Sequence, residues 1–119
     1  MCSEVLKESD MKGNLLDVVD WSENLNANAF SLTRIKILWA LSELGEDGAT
    51  ARQIKNSLKI GNDGSTYSNV NALVDMGYLR MEKVTFESRT LELYAITPAG
   101  LEEWNRIKKW LAMLVCGDE

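Results

Sequence analysis

At Gly77 the hydrophobic period of this chain changes from that of a helix to that of a strand, and at Thr97-Pro98 it changes back. Upstream, Val70, Leu73, Val74 and Gly77 fall on one side of a helix spanning about residues 65–76, at about 100° per residue. Downstream, Tyr78 to Val84 alternates, with Leu79 and Met81 on one face and Arg80 and Glu82 on the other, and Leu91 to Ile96 alternates again. The six residues between them, 85–90, are polar apart from Phe86, so the two runs read as an antiparallel hairpin. Thr97 then offers an N-cap and Pro98 a first helical position. A helix leading straight into a hairpin and then into another helix leaves few compact architectures for 119 residues, a length that suits one domain.

Three more helices precede that segment. Asn14 to about Asn24 carries Leu15, Val18, Val19 and Ser22 at helical spacing, and Asn24 to Asn28 breaks it. From Ser31 to Leu44, Leu32, Ile35, Leu38 and Trp39 form a stripe that Ile37, Leu41 and Leu44 widen, which predicts a helix buried on several sides with Trp39 in the core. Thr50-Ala51-Arg52-Gln53 has the form of a capping box, and Ala51, Ile54 and Leu58 point inward after it. Gly61-Asn62-Asp63-Gly64 reads as the turn before the 65–76 helix. The last helix places Leu101, Trp104, Ile107, Leu111 and Leu114 on one face, with Trp110 beside it. The fold class is therefore α+β, mainly helical: a winged helix-turn-helix with flanking helices at both ends. Residues 1–13 are expected to be loosely ordered, and 14–119 to form the single domain with its terminal dimerisation helices.

Charge and composition narrow the function. The net charge is −5, but six acids against two bases in residues 1–29 account for most of it, and residues 30–100 hold eight of each. The acidity argues against loose, charge-driven association with nucleic acid or membranes, while the neutral middle can still face an anion. There is no histidine, so no serine or cysteine has the usual activating base, and the 61–64 loop is followed by no Gly-Lys-Ser/Thr. An enzyme is not expected. Cys2 and Cys116 form no Cys-x-x-Cys pair and are expected to be free thiols in a reducing cytoplasm; no metal or other cofactor is expected. No apolar run approaches the roughly 18 residues of a membrane span, and residues 1–13 lack the pattern of a signal peptide.

The residues LTRIKILWAL (32–41), TARQIKNSL (50–58), NALVDMGYLRMEK (71–83) and FESRTLELYAITPAG (86–100), in that order, resemble the winged-helix transcriptional regulators related to the MarR and PadR families. The likeness is greatest to their short archaeal and bacterial single-domain members and covers about two thirds of the chain, from Ala29 to Ala112. Leu-x-x-x-Gly-Tyr running into a hairpin and then Thr-Pro-x-Gly is fairly specific for this group. The resemblance implies a sequence-specific regulator acting on double-stranded DNA as a homodimer. The 65–76 helix would lie in the major groove and a wing over 83–91 on the backbone. It leaves room for a small-molecule effector of unidentified chemistry.

One departure bears on that reading. Such regulators carry arginine or lysine on the outer face of the groove helix, at positions that fall here on Ser68, Asn71 and Ala72. No lysine or arginine occurs between Gly61 and Leu79. The expected DNA contacts are therefore Ser65, Thr66, Ser68, Asn69 and Asn71 on the helix, since serine and asparagine can read base edges. Arg52, Gln53 and Lys55 before it and Lys83 and Arg89 on the wing are expected at phosphates, where Arg34 and Lys36 could join them. The dimer is expected to use Leu15, Val18, Trp21, Leu101, Trp104, Ile107, Trp110, Leu111 and Leu114. The alternative is a winged-helix module that binds protein instead of DNA. A positive strip from Arg52 and Lys55 to Lys83 and Arg89 favours DNA, and carboxylates interrupting it favour protein.

Overall fold

The fold, seen in a computed structural model, is described for residues 8–116. Its helices are α1 (Glu8–Trp21), α2 (Leu32–Leu44), α3 (Ala51–Leu58), α4 (Asp63–Asp75) and α5 (Pro98–Cys116), and its strands are β1 (Leu79–Phe86) and β2 (Arg89–Ile96). Short 3-10 turns at Ser22–Asn24, Ala27–Ala29 and Gly45–Asp47 bridge α1 to α2 and α2 to α3. The mainly helical α+β winged-helix order is the expected one. Helix α1 starts at Glu8, six residues before Asn14; the expectations for residues 1–7 and for the Cys2 and Cys116 side chains lie outside the described part of the chain.

Each helix of the central trio starts and stops for a local reason. Ser31 Oγ accepts the Arg34 N–H at 3.2 Å at the start of α2. The Thr50–Gln53 capping box closes in both directions: Thr50 Oγ1 accepts the Gln53 N–H (3.2 Å) and Gln53 Oε1 accepts the Thr50 N–H (2.9 Å). Helix α4 begins at Asp63, not Ser65, because Asn62 Oδ1 caps the Ser65 N–H at 2.7 Å and draws Asp63 and Gly64 into the first turn. Its end is the expected one: Gly77 has φ +84°, and the Tyr78 N–H reaches back to the Leu73 carbonyl at 2.9 Å.

The hairpin is longer than expected. Instead of a six-residue loop, only Glu87 and Ser88 turn the chain, with φ of 51° and 65°. A two-residue turn with both residues in the left-handed region matches the twist of the flanking strands, so the ladder runs from Leu79 opposite Ile96 to Phe86 opposite Arg89. Ala49 adds one further pairing, exchanging hydrogen bonds with Tyr94 at 2.9 and 2.8 Å. Gly48, at φ +67°, permits that approach, since a Cβ there would lie 2.5 Å from the Tyr94 carbonyl oxygen.

The core gathers around α2, whose Ile37, Leu38 and Leu41 are fully buried against Ile54, Val70, Leu73, Leu79 and Ile107. Each such side chain contributes about 1.5–3 kcal/mol of burial free energy. Trp39 is not among them: it is 49 % exposed, and Leu32 is 74 % exposed. Residues 32 and 39 are seven apart and share a face, opposite the one Ile37 and Leu41 present to α3 and α4. A stripe this wide does not reveal which side faces inward.

Two contacts fasten the hairpin and α5 to the trio. Thr97 Oγ1 accepts the Gly100 N–H at 3.0 Å and donates to the Gly77 carbonyl at 2.6 Å. Gly100 lies so close to the Tyr78 carbonyl that a Cβ would overlap it, which explains Gly-Tyr and Thr-Pro-x-Gly as two halves of one joint. The second contact is Glu103, 1 % exposed. Its Oε2 accepts the Asn26 backbone N–H at 2.8 Å, and its Oε1 accepts Arg106 at 3.0 and 3.2 Å and the Tyr78 hydroxyl at 3.5 Å. Asn26 Nδ2 in turn donates to Tyr78 Oη at 3.1 Å.

Glu103→Ala is expected to destabilise the fold by about 2–3 kcal/mol, because the Asn26 N–H loses its charged acceptor while the half-exposed Arg106 can turn to solvent. Urea unfolding curves measure it; a loss under about 0.5 kcal/mol would mean the contact contributes little.

Candidate nucleic-acid interface

Helix α4 divides into three strips. Thr66, Val70 and Leu73 are buried, and Thr66 Oγ1 donates to the Asn62 carbonyl at 3.0 Å. Thr66 is therefore a core residue, and the expectation that it contacts DNA is corrected. Ser68 and Asn71 are exposed on the outward strip, with Gly64 and Asp75. Tyr67, which the sequence reading did not select, is 45 % exposed on one edge, and Ser65 and Asn69 are half-buried on the other. The outward strip thus holds hydrogen-bonding side chains, the Asp75 carboxylate at its end and no cation.

Beside the Tyr67 edge, the start of α3 and the wing enclose an open groove of about 530 Å³. Arg52, Lys83 and Arg89 line it with Thr50, Tyr67 and Glu92. Three of the expected phosphate-contacting cations, distant in sequence, are thus brought to one place, against one carboxylate. Lys83 stands opposite Glu92 in the ladder. Tyr94, buried at the floor, points its hydroxyl to Glu92 Oε1 at 3.4 Å. Burial, and then the neighbouring Glu92 charge, push that phenol above its ordinary value, so it stays protonated at neutral pH. Lys55 is diverted to Asp63 at 3.2 Å, and Gln53 is engaged in the α3 cap although exposed.

On the opposite edge of α4, Arg34 reaches over from the first turn of α2. Its Nε donates to Asn69 Oδ1 at 2.8 Å, and its Nη1 donates to the Asn28 carbonyl at 2.6 Å. Asn69 Nδ2 donates to the Ser65 carbonyl at 2.8 Å. Both polar atoms of the Asn69 side chain are therefore engaged within the protein, which opposes its expected use as a bidentate adenine reader. Lys36 Nζ donates to the Leu58 carbonyl at 3.0 Å and closes the end of α3.

The residues expected at a dimer interface separate into two groups. Trp104 (7 % exposed) and Ile107 (0 %) belong to the protomer core and are corrected accordingly. Trp110 is covered within the chain: its Nε1 donates to the Val18 carbonyl at 3.0 Å, and its ring meets Phe30 edge-on at 5.4 Å. Trp21 is half-buried with Lys109 over its ring, and Leu111 packs partly on the core. Leu15, Leu101 and Leu114 remain exposed, as do Leu16, Val19 and Val115. The radius of gyration is 17.4 Å, against about 13–14 Å for a compact chain of this length.

Among the described residues no helix is long and apolar enough to cross a membrane. No curated protein matches the chain significantly in sequence. In fold it is similar to a transcriptional regulator homologue from Pyrococcus horikoshii OT3, with 22 % identity and a TM-score of 0.70 over 88 % of this chain and 96 % of that one. It is also similar to a MarR-family transcriptional regulator from Rhodococcus sp. RHA1 (18 % identity, TM-score 0.58, 97 % of this chain and 86 % of that one). A third is a MarR transcriptional regulator from Methanosarcina mazei Go1 (16 %, 0.55, 97 % and 80 %). A family model described as a winged helix DNA-binding domain matches residues 33–115, from the first turn of α2 almost to the end of α5, and the chain therefore belongs to the winged helix DNA-binding domain family.

Proposed function

We propose that the protein is a cytoplasmic transcription regulator that binds specific duplex DNA as a homodimer, with α4 in the major groove and the wing, residues 83–91, on the backbone. The observation that carries this reading is the convergence of Arg52, Lys83 and Arg89 on one groove beside an α4 face that presents Ser68 and Asn71 and carries no cation. The cations hold phosphates, and Ser68 and Asn71 read base edges. A helix without cations gains little from random sequence, and the net charge of −5 opposes unspecific association. Binding is therefore weak on arbitrary duplex and comparatively selective. Selection from a pool of random duplexes tests this directly and is expected to return an enriched inverted repeat. A folded protein that enriches nothing would instead favour the protein-binding alternative.

The wing contributes backbone affinity. Arg89→Ala is expected to reduce the slope of log affinity against log salt by about 0.9 without changing the preferred sequence. Equal affinities for variant and wild type at low salt would remove Arg89 from the interface.

The dimer uses the apolar surface that one protomer leaves open on α1 and α5, namely Leu15, Leu16, Val19, Leu114 and Val115. A two-fold dimer would present two α4 helices about one DNA turn apart. Light scattering is expected to give twice the chain mass. Val19→Glu with Leu114→Glu is expected to give a folded monomer with much weaker DNA binding, whereas a wild-type monomer mass at all concentrations would refute the dimer.

A further inference from the structure

The wing cations meet only one edge of α4. A helix is about 10–12 Å across with its side chains, and the major groove is about 12 Å wide. A helix seated there has phosphates along both edges. Tyr67 faces the wing groove, and Asn69, about 200° round the helix from it, lies on the far edge. Helix α4 carries no lysine or arginine of its own to meet the phosphates there.

Arg34 is brought to that edge by the fold. It originates on α2 and is fixed by two acceptors on different segments, Asn69 Oδ1 through Nε and the Asn28 carbonyl through Nη1. Two contacts on one guanidinium set both its position and its plane. Neither acceptor is ionised, and among the described residues no carboxylate lies within ion-pair distance of Arg34, so its charge is not neutralised there. The guanidinium has five N–H donors, and these two contacts leave three. A side chain fixed in this way loses little further entropy when a phosphate arrives. Asn69 is in turn held by the Ser65 carbonyl, so Ser65, Asn69 and Arg34 form a chain of contacts ending in a cation.

Building on the DNA-binding reading, we propose that Arg34 is the cation of the far edge of the major groove. It contacts a backbone phosphate across α4 from the wing, and Asn69 is its positioning residue, not a reader of bases. Each half-site is then clamped from both sides, by Arg52, Lys83 and Arg89 on one edge and Arg34 on the other, while Ser68 and Asn71 between them face the bases.

The test measures affinity against salt for the full-length protein, on the duplex enriched by selection and on a random duplex of equal length. Arg34→Ala is expected to lower affinity for the selected duplex about tenfold or more at 0.1 M salt and to reduce the salt slope by about 0.9. Arg34→Gln, which can still donate to Asn69, should lose the same slope while melting close to wild type, which separates lost charge from lost fold. Arg34→Lys should keep most of the slope. Asn69→Ala is expected to weaken binding severalfold on both duplexes alike and to have no further effect in an Arg34→Gln background. An unchanged slope in both neutral Arg34 variants would overturn the proposal. So would relaxed preference at one base pair in Asn69→Ala, which would return Asn69 to base reading. Wild-type protein that binds neither duplex would overturn the DNA-binding reading itself, a result distinct from either of these.

Discussion

Among the described residues one buried carboxylate, Glu103, ties α5 to the segments on either side of the α2–α4 trio. Glu103 on α5 accepts hydrogen bonds from the backbone of Asn26, from Tyr78 just past the end of α4, and from Arg106 on its own helix. A carboxylate removed from water is costly unless its oxygens are satisfied, so this site tolerates few arrangements of the three segments. Asn26 begins the stretch that leads into α2, Tyr78 connects α4 to the wing, and α5 carries part of the apolar surface left open on the protomer. The Thr97–Gly77 hydrogen bond and the close approach of Gly100 to Tyr78 reinforce the same junction. Helix α4 and α5 are thereby fixed in relative orientation, so any two-fold pairing through α1 and α5 dictates where a second α4 stands.

Features controlled by neighbours in sequence were legible before the structure. The Thr50–Gln53 box, the Gly77 stop and the Thr97-Pro98 start each depend on a few consecutive residues, and all three stand where the pattern put them. The two-residue wing turn is not legible in sequence, because Glu87-Ser88 lacks the Asn-Gly or Asp-Gly signature, although both residues adopt positive φ. Asn62 has the sequence context of a turn, but its side chain starts α4 early. The exposure of Trp39 is hidden in sequence because α2 is apolar almost all round, so periodicity alone does not choose its buried side. Glu103 resembled a surface acid in Leu-Glu-Glu-Trp. Only its distant partners, at Asn26 and Tyr78, account for its burial.

The candidate site divides in the same way. Its cations Arg52, Lys83 and Arg89 were nameable from a winged-helix resemblance, and the fold does gather them in one groove. Thr66 and Asn69 were not distinguishable from Ser68 and Asn71 by residue type, since all four are small and polar. Their positions around the helix distinguish them. Thr66 sits at the buried centre, Asn69 at the border where α2 supplies Arg34, and only Ser68 and Asn71 remain unobstructed. One signal was available: residues 66, 70 and 73 recur at steps of four and three, which places Thr66 on the apolar side with Val70 and Leu73.

If α4 enters the major groove as proposed, the placement of charge around it bears on selectivity. A helix that carried its own arginines would bind any duplex by counterion release, with base contacts added on top. Here the cations stand at the borders on other elements: the start of α3, the wing and the first turn of α2. Their distances from the phosphates depend on how deeply α4 sits. In the proposed complex, wrong bases opposite Ser68 and Asn71 would leave α4 riding higher, and the border cations would lengthen their phosphate contacts together. Base recognition and backbone attraction are then coupled through one rigid-body displacement. On that reading a helix without cations between basic borders makes even the electrostatic part of the affinity depend on sequence, provided the Glu103 junction keeps those borders from moving independently.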